Sequence, residues 1–369
     1  MRTAMIVLVI SLAACKICYG EELPLEKTVV FSANKKGYKE YRIPVLLVTK
    51  QGTLLAITDA GRTDSDWGDR DLFLKRSSDG GKTWSSIEEV QVEKKHTCGN
   101  PCAIIDKKNG RIHLLFSRNY HQVFYIYSDD EGKTWTEPRE ITEVFQKFKP
   151  RYSWDLLATG PGRGIEIQNG RFKGRWVMPI WLTYKHNTYR AGIIYSDDRG
   201  NAWKPGGLSD GAINVNENFV YETGDGVLVM NMRAQKKKQL RRRFVAQSND
   251  GGLTWTTSQA AEELPCPVCH ASGVRYESKK RQSDGFILFV NPASEKQRNQ
   301  LTVRLSRDNG KTWPFSRLSH AGPAAYSSIN LLPDGDIGLL YEGGERHRYE
   351  KMFFVRFPIA WLENQSGQR

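Results

Sequence analysis

Short runs rich in apolar and β-branched residues recur along the chain, each bounded by clusters of turn-forming polar residues, and helical periodicity is scarce. Five of these runs ("DLFLKR", "QVFYIY", "AGIIY", "RRFVAQ" and "LTVRL") lead into one polar signature. It reads "SSDGGKTW" at Ser77–Trp84, "SDDEGKTW" at Ser128–Trp135, "SDDRGNAW" at Ser196–Trp203, "SNDGGLTW" at Ser248–Trp255 and "SRDNGKTW" at Ser306–Trp313. Asp and Ser oxygens can satisfy the amides of a turn and Gly can take a positive φ, so each copy predicts a hairpin, with its Trp packing between sheets. The copies recur every 50 to 70 residues or so, room for about four short strands, which is one propeller blade. The pattern predicts an all-β, six-bladed β-propeller over residues 21–369. The sixth blade lacks the motif, and an N-terminal strand is expected to close the ring beside "KMFFVRF". A Greek-key sandwich is the alternative, and such long repeats argue against it.

The first twenty residues read differently. A basic start at Arg2, the apolar stretch "AMIVLVISLAAC" and small residues before "EEL" predict a secretory signal peptide over residues 1–20. The expectation is therefore a secreted protein, with lysosomal or cell-surface association also compatible. No other run is long and apolar enough to predict an integral membrane span. The formal charge of +13, which includes Arg2 and Lys16, favours anionic partners. Its densest cluster, "QKKKQLRRRF" at Gln235–Phe244, reads as a solvated hairpin or as steering for acidic substrates; in an exported protein it does not suggest nucleic acid. Without Cys15 and Cys18, four cysteines remain as two close pairs, Cys98 with Cys102 and Cys266 with Cys269. An oxidising compartment favours disulfides over a four-thiolate zinc site, with the pairing open. A glycosylation sequon stands at Asn364-Gln365-Ser366.

Three arginines draw attention by context: Arg42 in "YRIP", Arg233 in "LVMNMR" and Arg304 in "LTVRL". Each is flanked by apolar strand residues in a different repeat. Strands of a propeller converge on its axis, so distant residues can meet there. Guanidiniums aimed at one point repel unless an anion sits among them, and a carboxylate fits their fork.

The series "YRIP", the repeated S-x-D-x-G-x-T-W turns (Asp boxes), "NENFVYETGDGVLVMNMR", "AAYSSI" and "LLYEGG" resembles the exo-α-sialidases (neuraminidases) of the bacterial and animal glycoside hydrolase family, over nearly the whole chain after the leader. The resemblance implies an enzyme releasing terminal α-linked sialic acid from glycoproteins, glycolipids and oligosaccharides with retention, needing no cofactor or metal. It implies that Arg42, Arg233 and Arg304 hold the sugar's carboxylate, with Glu342 orienting Arg42. Tyr326 would be the nucleophile, Glu217 its base and Asp66 the acid/base, while Arg62 contacts the far side of the ring. Asp64 is the runner-up to Asp66, and Glu222 to Glu217. A trans-sialidase, intramolecular transfer included, and a non-catalytic sialoglycan-binding propeller are the rival functions. Oligomeric state stays open.

The chemistry agrees with these parts. Retaining glycosidases commonly attack with a carboxylate, and sialidases with tyrosine are an exception. The substrate bears its own carboxylate on the carbon under attack, which repels an anion but admits a neutral phenol. A phenol, of reference pKa near ~10, needs a base to take its proton. Trp67 and Trp154 could line an N-acetyl pocket, but aromatic residues in propellers mostly pack blades.

Overall fold

A computed structural model describes residues 25–185, 187–211, 213–235, 240–277 and 285–364. The expected leader over residues 1–20, residues 236–239 of the basic run and the last two residues of the sequon lie outside the described residues.

Strands are assembled as meanders of four. The first runs Glu40–Val48, Leu54–Gly61, Arg70–Ser77, Glu88–Gln91, each antiparallel to the next. The others repeat this order from innermost strands at Cys98–Ile105, Leu156–Thr159, Val215–Glu222 and Ser272–Arg275. Pairing gives five continuous sheets rather than six separate ones, because one sheet has seven strands. Its 17-residue strand Phe315–Leu331 is the outer strand of the fifth meander, pairing with Asn299–Ser306, and then the inner strand of the sixth, pairing with Ile337–Gly343. The ring closes as expected: Glu26–Ser32 lies antiparallel to Lys351–Phe357.

Most inner and middle strands are buried along all or nearly all of their length, as Leu54–Gly61 is, because both faces of each meander meet a neighbour. Six apolar clusters fill the six junctions. One of them joins Phe31, Met352 and Phe354 of the last meander to Leu46, Leu54 and Phe73 of the first, so the closure is a packed core as well as a hydrogen-bonded ladder. Each fully buried side chain of this size is worth roughly 1.5–3 kcal/mol.

The repeated signature forms the turn between third and fourth strands. Ser77, Ser128, Ser196, Ser248 and Ser306 each end a third strand. In the first copy Ser77 Oγ accepts the Gly81 amide at 2.9 Å, and Asp79 accepts the amide and hydroxyl of Thr83 at 3.0 and 2.6 Å. Gly81 has φ +93°, and a Cβ there would stand 2.0 Å from the Phe354 ring. The closing Trp84 donates its indole N–H to Gly81 O and packs edge-on against Phe354, sealing the first meander to the last. In the sixth meander the fourth strand comes from the other end of the chain, so no turn of this kind is needed and the motif is missing.

Hydrogen bonds from Thr83 hold Asp79 down at about 2, and those from Thr134 outweigh burial to hold Asp130 there too. A carboxylate whose pKa is lower folded than unfolded stabilises the fold above its unfolded value, near ~4, and loses that contribution as pH falls through its folded value. Asp79→Ala should therefore lower stability in urea melts at neutral pH by roughly 0.5–1 kcal/mol, a small amount because the turn is exposed. The gap from the unsubstituted protein should close as pH falls from about 4 towards 2.

Candidate active site

Chain direction alternates along a meander, so first strands start, second strands end and third strands start at the same end of the ring. Residues near those points meet there: Arg42 and Glu217 early in first strands, Arg233 and Glu342 late in second strands. The Asp-box turns, which end third strands, occupy the opposite end.

Local irregularities then aim the side chains. The pairing register slips between Arg42 and Val45, between Gly99 and Cys102, between Val215 and Asn218, and between Ala324 and Ser327. Glu217 and Tyr326 lie inside two of these bulges, where the extra residue re-aims a side chain off the strict alternation. In "YRIP" the bulge places Ile43 at φ +58°, a costly conformation for a β-branched residue, and Pro44 has no amide to leave unpaired. Glu342 compensates. Wholly buried, it accepts the Ile43 amide at 2.7 Å and the Tyr326 amide at 3.0 Å, and lies 3.8 Å from Arg42 Nε. Burial raises its pKa against the pull of Arg42 and the two amides.

At the centre, the Tyr326 hydroxyl donates to Glu217 Oε1 at 2.5 Å and accepts from Arg233 Nη1 at 2.8 Å. The same guanidinium stands 2.7 Å from Glu217 Oε2. Burial holds the phenol's pKa well above its ordinary value, Arg233 pulling it down and Glu217 pushing it up. It rests protonated, its proton already directed at a carboxylate and its oxygen facing a cation that would stabilise charge developing there. Behind the ring, His270 lies 5.3 Å away between centroids, and burial keeps it neutral.

Arg42 and Arg233 converge as expected; Arg304 does not. It donates to Asn291 Oδ1 at 3.2 Å, and burial lowers its pKa, with Glu263 opposing. It precedes the Asp box of its third strand by two residues, which puts it at the wrong end of the ring. The third guanidinium is Arg298, just before that strand begins, six residues and roughly 20 Å along an extended chain from Arg304. Its guanidinium carbon is 5.5 Å from the centre of the Tyr326 ring, against 5.7 Å for Arg42. Arg298 donates to Tyr349 Oη at 2.9 Å and to Val268 O at 2.7 Å, while Arg42 stacks 4.1 Å over the Tyr349 ring. Arg298 and Tyr349 escaped the sequence reading because both sit in polar loops, "EKQRNQ" and "ERHRYE". The position of the Asp box relative to Arg304 was the signal that could have found the error.

Asp66 lies on the loop after the second strand and makes a 2.5 Å ion pair with Arg42, its side chain 61% exposed. Burial works to raise its pKa, but Arg42 and Arg70 win and hold it below the ordinary carboxylate value. The runner-up Asp64 pairs with Lys39 on the surface. Glu222, runner-up to Glu217, sits at the other end of its strand and caps the amides of Gln168 and Asn169. Arg62 is tied at the rim to Asp69, Asp71 and the Tyr38 hydroxyl. Buried Arg70, between Asp59 and Glu40, supports the loop and went unnoticed in the sequence. Trp67, more than half exposed, lies 4.7 Å between ring centroids from Tyr120 in a tilted contact; Trp154 is core, its indole bonded to Phe145 O.

The expected disulfides are not formed: Cys98, Cys102, Cys266 and Cys269 are buried thiols. Cys98 and Cys102 share one strand, whereas Cys269 packs against Tyr326, with burial pushing its pKa up to about 12. The resulting site has three guanidiniums around one phenol. Arg42 and Arg233 are matched by Asp66 and Glu217, whereas among the described residues Arg298 bonds to neutral oxygens. Such a site accepts an anion.

Comparison with known proteins agrees. A sialidase of Micromonospora viridifaciens is 31% identical over 369 aligned positions, covering 93% of this chain and 55% of that protein. One from Bacteroides fragilis is 31% identical, covering 83% and 60%. The chain thus spans little more than half the length of these relatives. Among solved structures, the Hadza microbial sialidase Hz136 superposes with a TM-score of 0.79 at 28% identity, over 91% of this chain and 69% of that one. Residues 88–339, well over half of the chain, match the model of the BNR repeat-like domain, and the chain belongs to that family, in the company of sialidases.

Proposed function

We propose that the chain is an exo-α-sialidase acting on sialylated glycoconjugates. The observation that carries this reading is a buried phenol whose hydroxyl bridges a carboxylate and an arginine, with two further arginines within 6 Å of its ring. The sugar carboxylate lies among Arg42, Arg233 and Arg298. To reach Arg42 it displaces Asp66 from its ion pair. Asp66 then exchanges a cation for a neighbouring anion, which raises its pKa and lets it carry the proton it must give. Substrate binding and arming of the acid become one event.

Tyr326 Oη attacks the anomeric carbon as its proton passes to Glu217 Oε1. Asp66 protonates the glycosidic oxygen and the aglycone leaves. In the second half Asp66 takes a proton from water, the water oxygen bonds to the anomeric carbon, and the tyrosyl oxygen departs, recovering its proton from Glu217. Two displacements retain configuration. Arg233 offsets charge on the phenolic oxygen in both steps.

Tyr326→Phe should lower turnover of an α-sialoside by roughly 10³-fold or more while leaving affinity for sialic acid nearly unchanged. Normal turnover would remove the nucleophile. In the unsubstituted protein, nuclear magnetic resonance should detect the α-anomer as first product; an anhydro or transferred sugar would favour a trans-sialidase, and binding without turnover a lectin. Arg298→Gln should weaken sialic acid binding about 10- to 100-fold, the worth of a charge-assisted hydrogen bond, whereas Arg304→Gln should leave it unchanged. Asp66→Asn should slow cleavage of sialyl-lactose by about 10²–10⁴-fold but cleavage of an aryl sialoside far less, because an activated leaving group needs little protonation. Equal loss on both substrates would count against Asp66 as the acid.

A further inference from the structure

The inner strands that start at the candidate active site end, roughly 15–20 Å away, around a second cavity on the same axis. Arg42 and Leu47, Glu217 and Val220, and Tyr326 and Leu331 are pairs on single strands, the first member at the site and the second on the wall of this cavity. Its volume is about 630 Å³, within the range of small-molecule sites. Much of the wall is apolar, including Leu47, Ile105, Val220, Val274 and Leu331.

Most charged groups here have a partner within the protein, although Glu166 Oε2 and Arg275 Nε are buried without a hydrogen bond. Both oxygens of Glu222 accept backbone amides. Glu166 pairs with Arg199 at 3.5 Å, and Arg275 lies 3.8 Å from Glu277. Arg163 differs from Arg275 in having no carboxylate partner among the described residues. It sits on the short strand Gly162–Arg163, parallel to Cys98–Ile105 and facing the axis. Among the described residues its hydrogen bond goes to a neutral atom, Asn330 Oδ1 at 3.0 Å, and no carboxylate pairs with it. Asn330 is held in that orientation, its amide nitrogen donating to Leu46 O at 3.2 Å. Burial without a counter-charge lowers the pKa of Arg163 to about 10.

Largely buried cations are ordinarily paired, because desolvating one alone is expensive. A Met or Leu would fill this position without that cost. The cation is therefore kept for an anion, and the guanidinium fork suits a carboxylate. The walls choose the remainder of the ligand: apolar surface does not welcome a strongly hydrated inorganic ion or a sugar, but it does bury hydrocarbon. Lys50 and Lys107, also on the cavity lining, favour the approach of a negative charge. We propose that this far-end axial cavity binds a small amphiphilic carboxylate, its acid group on Arg163 and its apolar body against the ends of the inner strands. The inference is independent of the chemistry at the other end of the ring.

Titration calorimetry on the intact protein tests it with three probes: decanoate, decanol and inorganic phosphate. Decanoate should bind at one saturable site, decanol at least about tenfold more weakly for want of the charge-assisted bond, and phosphate not measurably. Arg163→Met should abolish decanoate binding while leaving turnover of an α-sialoside unaltered. Val48→Trp, which adds bulk to the cavity lining and retains the arginine, should do the same, and it decides the matter if Arg163→Met does not fold. Equal binding of decanol, binding of phosphate, competition by sialic acid, full binding by either variant or no binding by the unsubstituted protein would each overturn the proposal.

Discussion

Glu342 holds together what the site is made of. Its two oxygens accept the amides of Ile43 and Tyr326, so one buried carboxylate fixes the bulges of the first and the last meander at once. Without it, Ile43 would have little reason to remain in the left-handed region, and the turn of backbone that presents Arg42 would relax. The same anion lies against Arg42, so the group that sets the backbone also partly balances the charge that backbone carries. It lies where the ring closes, and closure is a long-range event supported by a packed cluster and the pairing of Glu26–Ser32 with Lys351–Phe357. Geometry at the phenol thus depends on the two ends of the chain finding each other.

Charge balance explains why the centre tolerates three guanidiniums. Glu217 answers Arg233 and Asp66 answers Arg42, while Tyr349 accepts from Arg298 and presents its ring to Arg42. Asp66 differs from the others in being exposed and on a loop, so it is the partner that an arriving carboxylate can displace at least cost. The buried pair of Glu217 and Tyr326 stays in place, and in the proposed reaction it does the chemistry. Rigid and replaceable anions are divided between strand and loop.

A propeller has two ends, and in this one they differ in kind. The end where first strands start gathers acids, arginines and a phenol; the end where they stop has apolar walls and one arginine without an acid. Asp boxes belong to that second end, where they fasten third strands to fourth and take no part in the proposed catalysis.

Much of this was legible in the residues. Five copies of one turn motif determine five of the six meanders and the packing of a Trp at five of the six junctions, because turn chemistry and strand alternation are local properties. Arg42, Glu217, Arg233, Tyr326 and Glu342, which the fold brings together, could also be singled out, since each lies within a strand or bulge whose neighbouring residues are distinctive. Two things were settled by tertiary structure. Which end of a strand faces the site depends on how meanders are laid around the axis, and that separated Arg298 from Arg304 although both precede the same Asp box. The state of charge of the buried groups depends on neighbours brought from other blades: Arg298 beside Tyr326 and Tyr349, Asp66 beside Arg42, Arg163 paired with no acid among the described residues. Local pattern selects the strands, but Coulomb interactions and desolvation act through space, and they acquire values only when the ring is closed.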